Sequence, residues 1–379
     1  MATSGKPTME DVARAANVST ATVSRVLRGV EGASSKETTA RVQACAAELG
    51  YVVNAVASSM RSQQTCTVGL VMADVSNPWF GQLAGGVESV LGPEGFSVIL
   101  ANTDNSVERE RKAVETLLRK QVDALVVASS SADGTHLRGA IARGIKVVLV
   151  DADLPDLNVD SISIDNEAVA QVAVEHLLDF GHEDVAIVVG GTEASSDRGR
   201  LDGYSKALAS RGLRARPECI SNGSNTFEGG RAAVAGLLVL PRRPSAIFVT
   251  NNLMTVGALV AIADAGLQVP RDVSIVGIDD MEWYPIAHPA ITAVFESPQE
   301  MGRRAAERLL LRLRRKRQPR AEHIRLAGEF RVRHSAGPPP SDREASSPTG
   351  GDSSAARLPW PDLVASDAVP GMTDRRPQD

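Results

Sequence analysis

Residues 8–29 read T-M-E-D-V-A-R-A-A-N-V-S-T-A-T-V-S-R-V-L-R-G, two short helical periods with a break between them. Met9, Val12, Ala13 and Ala16 recur at helical spacing, so a first helix has one apolar face. Asn17-Val18 interrupts the pattern, and asparagine tolerates the left-handed backbone that a tight turn needs. Ser19 suits the N-cap of a second helix, whose apolar stripe is Val23, Val26 and Leu27. The opposite face near its start carries Thr20, Ala21, Ser24 and Arg25. Small and polar side chains with one arginine suit a helix whose N-terminal end enters a DNA major groove. The competing reading is a plain helical hairpin with a solvated face.

Working outward, Gly29 to Ser34 is a loop and Ser35 caps a third helix through Leu49, with Gly50 as its stop. Val42, Cys45, Ala46 and Leu49 form that helix's inward stripe. Tyr51–Arg61 (Y-V-V-N-A-V-A-S-S-M-R) is too short to hold a helix alone in water. From Thr67 the chain alternates β-like runs with helical patterns. The runs are Val68–Met72, Val98–Ala101, Ala124–Ala128, Lys146–Val150, Val185–Val189, Ala246–Val249 and Val273–Gly277. Helical patterns fall near 80–91, 107–119, 135–143, 167–180, 200–211, 229–238 and 253–265. Continuous Val/Ile/Leu strands between helices mean parallel sheets covered on both faces, and the length suggests two such α/β lobes. Arg303–Arg320 is strongly basic; it reads as a solvated helix end, with a second nucleic-acid patch as the alternative. Ser335–Asp379 holds eight of the twenty prolines and little apolar material, the composition of a disordered tail, with one apolar island at Leu358-Pro359-Trp360.

The 379 residues are 43% hydrophobic and 23% charged, enough for two or three domains with sizeable cores. Aromatics are only 3%, so each one away from a core is a candidate contact. No stretch approaches the apolar length of a membrane span, and M-A-T-S-G-K-P lacks the apolar run of a secretory signal. Cys45, Cys66 and Cys219 are far apart and odd in number, which favours reduced thiols and a cytoplasmic protein. CxxC, HExxH, P-loop, nucleophile-elbow and zinc-like His/Cys patterns are all missing, so neither an enzyme nor a metal or cofactor site is expected. The net charge of −5 divides unevenly: residues 1–65 carry +2 and the remainder −7. So small a surplus gives one copy weak affinity for DNA, and dimerisation would double the phosphate contacts.

The run D-V-A-R-A-A-N-V-S-T-A-T-V-S-R-V-L resembles the signature of the lactose/galactose-repressor (LacI/GalR) family of bacterial transcription regulators. The resemblance continues through A-E-L-G-Y (47–51), S-N-P-W-F (76–80), D-R-G-R-L-D-G-Y (197–204), P-R-D-V-S-I-V-G-I-D-D (270–280) and F-R-V-R-H-S (330–335). It implies a three-helix headpiece at 1–50, a hinge at 51–65, a two-lobed periplasmic-binding-protein-like core at 66–335, and a tail at 336–379 outside the family pattern. The 29–34 loop looks one residue longer than the family's usual spacing. Three crossovers are implied, near 162–165, 291–296 and 325–328. The family's hinge helix orders on operator DNA and wedges a hydrophobic side chain into the minor groove. Here Met60 holds the wedge position, where leucine is usual, with Val56 as the hinge–hinge contact and Asn54 near the start. Val53 replaces the usual proline, which leaves the hinge looser before binding.

Ligands of open α/β sheets bind where strands end, so residues just after the β-runs are candidates. Trp79 and Phe80 fall where the resemblance places an aromatic face against the ligand; packing aromatics are the alternative. Asp151 and Asp165 could each accept protons from ligand hydroxyls, and Asp165 could equally cap the next helix. Arg200 matches the family arginine that forks onto ligand oxygens, against a surface salt bridge with Asp197 or Asp202. Asn252 stands where many members have aspartate, which makes the pocket less suited to a cationic group. Asp279 and Trp283 complete the set, which resembles a sugar or polyol site. Ala194 stands where the purine-binding branch has its specificity arginine, which weakens a purine ligand.

The expectation is therefore a homodimeric or higher-order DNA-binding regulator, a repressor in sign, reading a pseudo-palindromic operator and answering to a sugar-like effector. Thr20, Ala21 and Arg25 would face base edges, with Arg25 forked onto a guanine, while Ser19, Thr22 and Ser24 position phosphates. The rival is a small-molecule-binding protein that does not read DNA sequence.

Overall fold

The computed structural model describes residues 7–27, 32, 34–51, 64–191, 194–315 and 319–340. The hinge residues Asn54, Val56 and Met60, and the Leu358–Trp360 island, lie outside this set.

The headpiece is three helices: α1 (Met9–Ala15), α2 (Thr20–Leu27) and α3 (Lys36–Glu48). Thr8 and Asp11 close a capping box at the start of α1. Asn17 turns the chain at φ 51°, and Ser19 Oγ then accepts the Thr22 amide at 3.1 Å. Ser35 Oγ accepts the Thr38 amide in the same way, and Gly50 takes φ +63° past the end of α3. Val12, Ala13, Ala16, Val23, Val26, Val42 and Ala46 form the small core. Leu49 departs from the expected stripe: it is 40% exposed, and Tyr51 packs on the core instead. Leu49 is the C-cap residue, one position beyond the end of α3. Arg41 Nε donates to the Ala16 carbonyl at 3.0 Å, tying α3 to the end of α1.

The remainder builds two six-stranded sheets. The first lobe takes β1 (Thr67–Met72), α4 (Pro78–Leu91), β2 (Ser97–Asn102), α5 (Val107–Arg119), β3 (Ala124–Val127), α6 (Arg138–Ala142), β4 (Lys146–Val150) and β5 (Asp160–Ile164). The second takes α7 (Asn166–Asp179), β6 (Val185–Val189), α8 (Ser195–Ser210), β7 (Ile220–Asn222), α9 (Phe227–Leu238), β8 (Ala246–Val249), α10 (Asn252–Asp264), β9 (Ser274–Ile278) and β10 (Thr292–Phe295). The chain then returns to the first lobe for α11 (Pro298–Arg314) and β11 (His323–Leu326), and ends in the second with β12 (Glu329–Arg331). Strand order is β11-β5-β4-β3-β1-β2 in one sheet and β12-β10-β9-β8-β6-β7 in the other. Every pairing is parallel except β10 with β12, as buried strands covered by helices on both faces require.

The chain changes lobes just after β5, just after β10, and between β11 and β12. The first two crossings fall at the far ends of the expected windows, because 160–164 and 292–295 are themselves strands. Strands β5, β7, β11 and β12 carry Ser, Asn or charge among few apolar residues, and β10 is a four-residue run, so periodicity alone passes over them. Helix α8 begins at Ser195, five residues before the apolar pattern. Helix α11 lies on α4 at backbone contact: a Cβ on Gly86 would stand 2.1 Å from the Gln299 carbonyl oxygen.

Two expectations for the C-terminal part are corrected. Arg312 is not a solvated helix end: its Nε and Nη2 fork onto the buried Asp160 carboxylate at 2.7 and 2.6 Å. Arg308 joins the same carboxylate at 3.1 Å. Burial by itself raises the Asp160 pKa, but the two guanidinium groups outweigh it and hold the carboxyl below its ordinary value. Residues 336–340 are part of the second lobe rather than the start of a tail. Ser335 Oγ donates to Ile275 O at 2.6 Å, and His182 Nε2 meets Gly337 O at 2.8 Å. No helix among the described residues is long and apolar enough to cross a membrane.

Candidate ligand cleft and nucleic-acid interface

The strand ends of the two lobes face each other across a cleft of about 650 Å³, its open mouth included. The first lobe lends Asn77, Trp79, Phe80, Asn105, Ser129, Ser130 and Asp151 to the wall, and the second lends Asp197, Arg200, Asn225, Asn251, Asp279 and Glu296.

Arg200 is the centre of this wall and is not a surface arginine. Its Nε donates to Asn166 Oδ1 at 2.8 Å, Nη1 to Thr250 O at 2.8 Å, and Nη2 to Glu296 Oε1 at 3.2 Å. Around one guanidinium stand four carboxyls: Asp151, Asp197, Asp279 and Glu296. Burial raises Glu296 to about 8, against the pull of Arg200 and with repulsion from Asp279 and Asp151. Burial also raises Asp151 to about 6, again opposed by Arg200. Asp197 and Asp279 are raised by the same cause. Glu296 Oε2, Asp151 Oδ1 and Trp79 Nε1 are buried without a well-formed hydrogen bond, and the Trp79 side chain pulls the Glu296 pKa down only slightly against burial. Buried polar atoms of native proteins are almost always paired, so three under-satisfied atoms in one cleft give it unused hydrogen-bonding capacity.

Trp79 is 4% exposed and meets Phe80 edge-to-face at 4.9 Å, so the pair is at once packing and wall. Three expected residues stand elsewhere. Asp165 caps α7 through the Ala168 amide (3.1 Å) and pairs with Arg325 (3.4 Å) in a separate recess by the first crossover. Trp283 packs edge-to-face on Tyr284 at 4.3 Å, outside the wall. Asn252 lies behind the wall: its Nδ2 donates to Asp279 Oδ2 at 2.8 Å and to Asn77 Oδ1 at 3.0 Å, while Asn251 caps α10 and faces the cleft. The cleft is therefore acidic, contrary to the reading drawn from Asn252. The residues missed were Glu296, Asn77, Asn105, Ser129, Ser130, Asp197, Asn225 and Asn251. The same strand-end rule would have found Glu296 had β10 been legible. Ser129 and Ser130 owe their place to the buried Glu110, which accepts from Ser129 Oγ at 2.6 Å and from the Ser130 amide at 2.9 Å.

In the headpiece, Ser19, Thr20, Ala21 and Arg25 are exposed on one side of the α2 start, while Thr22 and Ser24 are half-buried. Ser19 Oγ is already engaged by the Thr22 amide and hydroxyl. Arg25 rests its Nε on Ala21 O at 3.4 Å, leaving the outer edge of its guanidinium toward solvent.

Residues 8–54 match the family model described as bacterial regulatory proteins, lacI family, and residues 174–336 match the periplasmic binding protein-like domain. The ribose operon repressor of Haemophilus influenzae is 34% identical over 309 residues, covering 81% of this chain and 92% of that protein. The chain belongs to the lacI family. As a member it is a sequence-specific DNA-binding transcription regulator with a ligand-binding core, and not an enzyme. Among the described residues no group of His, Cys, Asp and Glu is placed to hold a metal ion. The lac repressor dimer bound to operator and the anti-inducer ONPF superposes with a TM-score of 0.77 at 27% identity, over 88% of this chain and all of that one. A lacI-family regulator from Enterococcus faecium with bound ribose gives a TM-score of 0.65 at 25% identity, over 72% and 99%.

Proposed function

We propose that this lacI-family member is a cytoplasmic repressor that binds a pseudo-palindromic operator as a homodimer and is controlled by a small neutral polyol of pentose size. The cleft carries this reading: buried Arg200 with unpaired Asp151 and Glu296 oxygens offers a fork of donors beside acceptors for ligand hydroxyls. The relatives that regulate a ribose operon or hold ribose support the pentose class. Ala194 on the wall leaves no guanidinium at that point for a purine.

Thr20, Ala21 and Arg25 read base edges, with Arg25 forked onto a guanine, and Ser19, Thr22 and Ser24 position phosphates. Asn54, Val56 and Met60 carry the hinge contacts. The dimer is supported by β2, an edge strand that exposes Ile99 and Leu100. The test is fluorescence anisotropy on DNA from the protein's own upstream region across a salt series. Wild type binds one duplex with a steep salt slope, and Arg25→Ala loses about 1–3 kcal/mol on that duplex alone. Equal weak binding of both proteins to every duplex rejects the reading.

A further inference from the structure

Glu296 stands at the end of β10 with Arg200 of α8 on one side and Trp79 of α4 on another, while Asp151 and Asp279 face it from the ends of β4 and β9. Asp151 in turn faces Arg200, Asp279, Asp197 and the Asn166 side chain. The neighbouring charges are already engaged. Asp280 is taken by Arg331 and Arg333, Asp279 Oδ2 by Asn252, and the Asp74 carboxylate at the rim by Ser76. Among the described residues of the cleft, one guanidinium must therefore balance three buried carboxyls, Asp197, Asp279 and Glu296, and the half-buried Asp151, whose Oδ1 is itself shielded. The guanidinium reaches one oxygen of Glu296; beyond the weak pull of the Trp79 side chain on Glu296 and of Asn166 on Asp151, Glu296 Oε2 and Asp151 Oδ1 have no well-formed hydrogen bond.

A buried carboxylate without a partner neutralises itself by taking a proton. We propose that the empty cleft binds exchangeable protons on Glu296 and Asp151 and that ligand hydroxyls displace them, coupling effector binding to pH. The proposal rests on the reading of this cleft as a polyol site. In the exchange, each carboxylic acid gives its proton to solvent and the resulting carboxylate accepts a ligand O–H. No bond other than O–H is broken or formed. Charge-assisted hydrogen bonds are about twice as strong as neutral ones, so the ligand favours the ionised pair. Burial, which lifts Glu296 to about 8 and Asp151 to about 6, makes Glu296 the proton holder at neutral pH.

The first experiment needs no ligand. Thermal unfolding of the full chain is followed from about pH 5 to pH 9 for wild type, Glu296→Gln and Asp151→Asn. Both folded pKa values lie above the unfolded ones, so the stability each acid contributes is lost as pH rises. The Gln variant should gain on wild type up to about pH 8 and then level off, and the Asn variant should level off by about pH 6. Differences that stay flat across the range overturn the proposal.

The second experiment is calorimetry of D-ribose binding in phosphate and in Tris. Buffer-dependent heat is expected, with affinity rising toward tenfold per pH unit between about pH 6.5 and 8, and this slope is lost in Glu296→Gln. Ribose binding with equal heats in both buffers and no pH slope overturns the coupling. No ribose binding at any pH overturns the pentose reading instead, and the unfolding profiles alone then decide the proton site.

Discussion

Asn252 Nδ2, in the second lobe, donates to Asn77 Oδ1, in the first, at 3.0 Å while holding Asp279 Oδ2 at 2.8 Å. One carboxamide thus joins two helix starts, since Asn77 also caps α4 through the Trp79 amide at 2.9 Å. An aspartate at 252 has no proton to donate and would set a second negative charge against Asp279. Asn252→Asp should cost about 1–3 kcal/mol of stability and shift the lobes toward an open arrangement. Calorimetry and small-angle scattering of wild type and variant check both effects.

Among the described residues Arg200 is the sole guanidinium of the cleft wall, set beside Asp151, Asp197, Asp279 and Glu296. Arg200→Met should cost about 3–5 kcal/mol, as removal of one partner of a buried pair does. Without that cation the carboxyls are raised further, so the folded state holds more protons and the deficit should grow with pH. Unfolding of the variant at about pH 6 and pH 9 measures it. A deficit independent of pH would count against the charge balance argued for the cleft.

The Asp160–Arg312 fork closes the first lobe at the end of α11. Arg312→Ala should cost about 3–5 kcal/mol near neutrality. Asp160 is held below its ordinary pKa, so its contribution is present above that value and fades as pH falls through the folded one. The gap between wild type and variant should therefore narrow below about pH 4, as acid unfolding curves would reveal.

Leu100 is 52% exposed on the β2 edge. If this edge joins two copies, Leu100→Lys should yield monomers in analytical ultracentrifugation and weaken operator binding far more than it weakens ligand binding. Dimers that persist in the variant would move the interface elsewhere.

The headpiece and the apolar central strands of both sheets were legible because their signals are local. An apolar face at 9, 12, 13 and 16, a cap at Ser19 and runs such as Val185–Val189 depend on neighbours a few residues away, and backbone geometry turns them into elements. The cleft was legible in part. Strand-end position and the resemblance found Trp79, Phe80, Asp151, Arg200 and Asp279, all of which the fold brings to one wall. Trp283 and Asp165 were misplaced because a residue following a strand can also cap a helix or pack beneath it. Between Asn251 and Asn252 no local signal chooses; the start of α10 turns one toward the cleft and the other toward Asp279.

The sequence by itself determined the headpiece helices, the apolar central strands and the parallel, buried character of the sheets, and its resemblance to a known family implied a headpiece with a two-lobed core. Charge pairing was decided by the tertiary structure. Arg312 meets Asp160 across 152 positions, Arg200 meets Glu296 across 96, and Asn252 meets Asn77 across 175. Such partners are chosen by three lobe crossings that no local periodicity records. The low dielectric of the closed interior then makes each pairing, or its absence, weigh far more than it would at the surface.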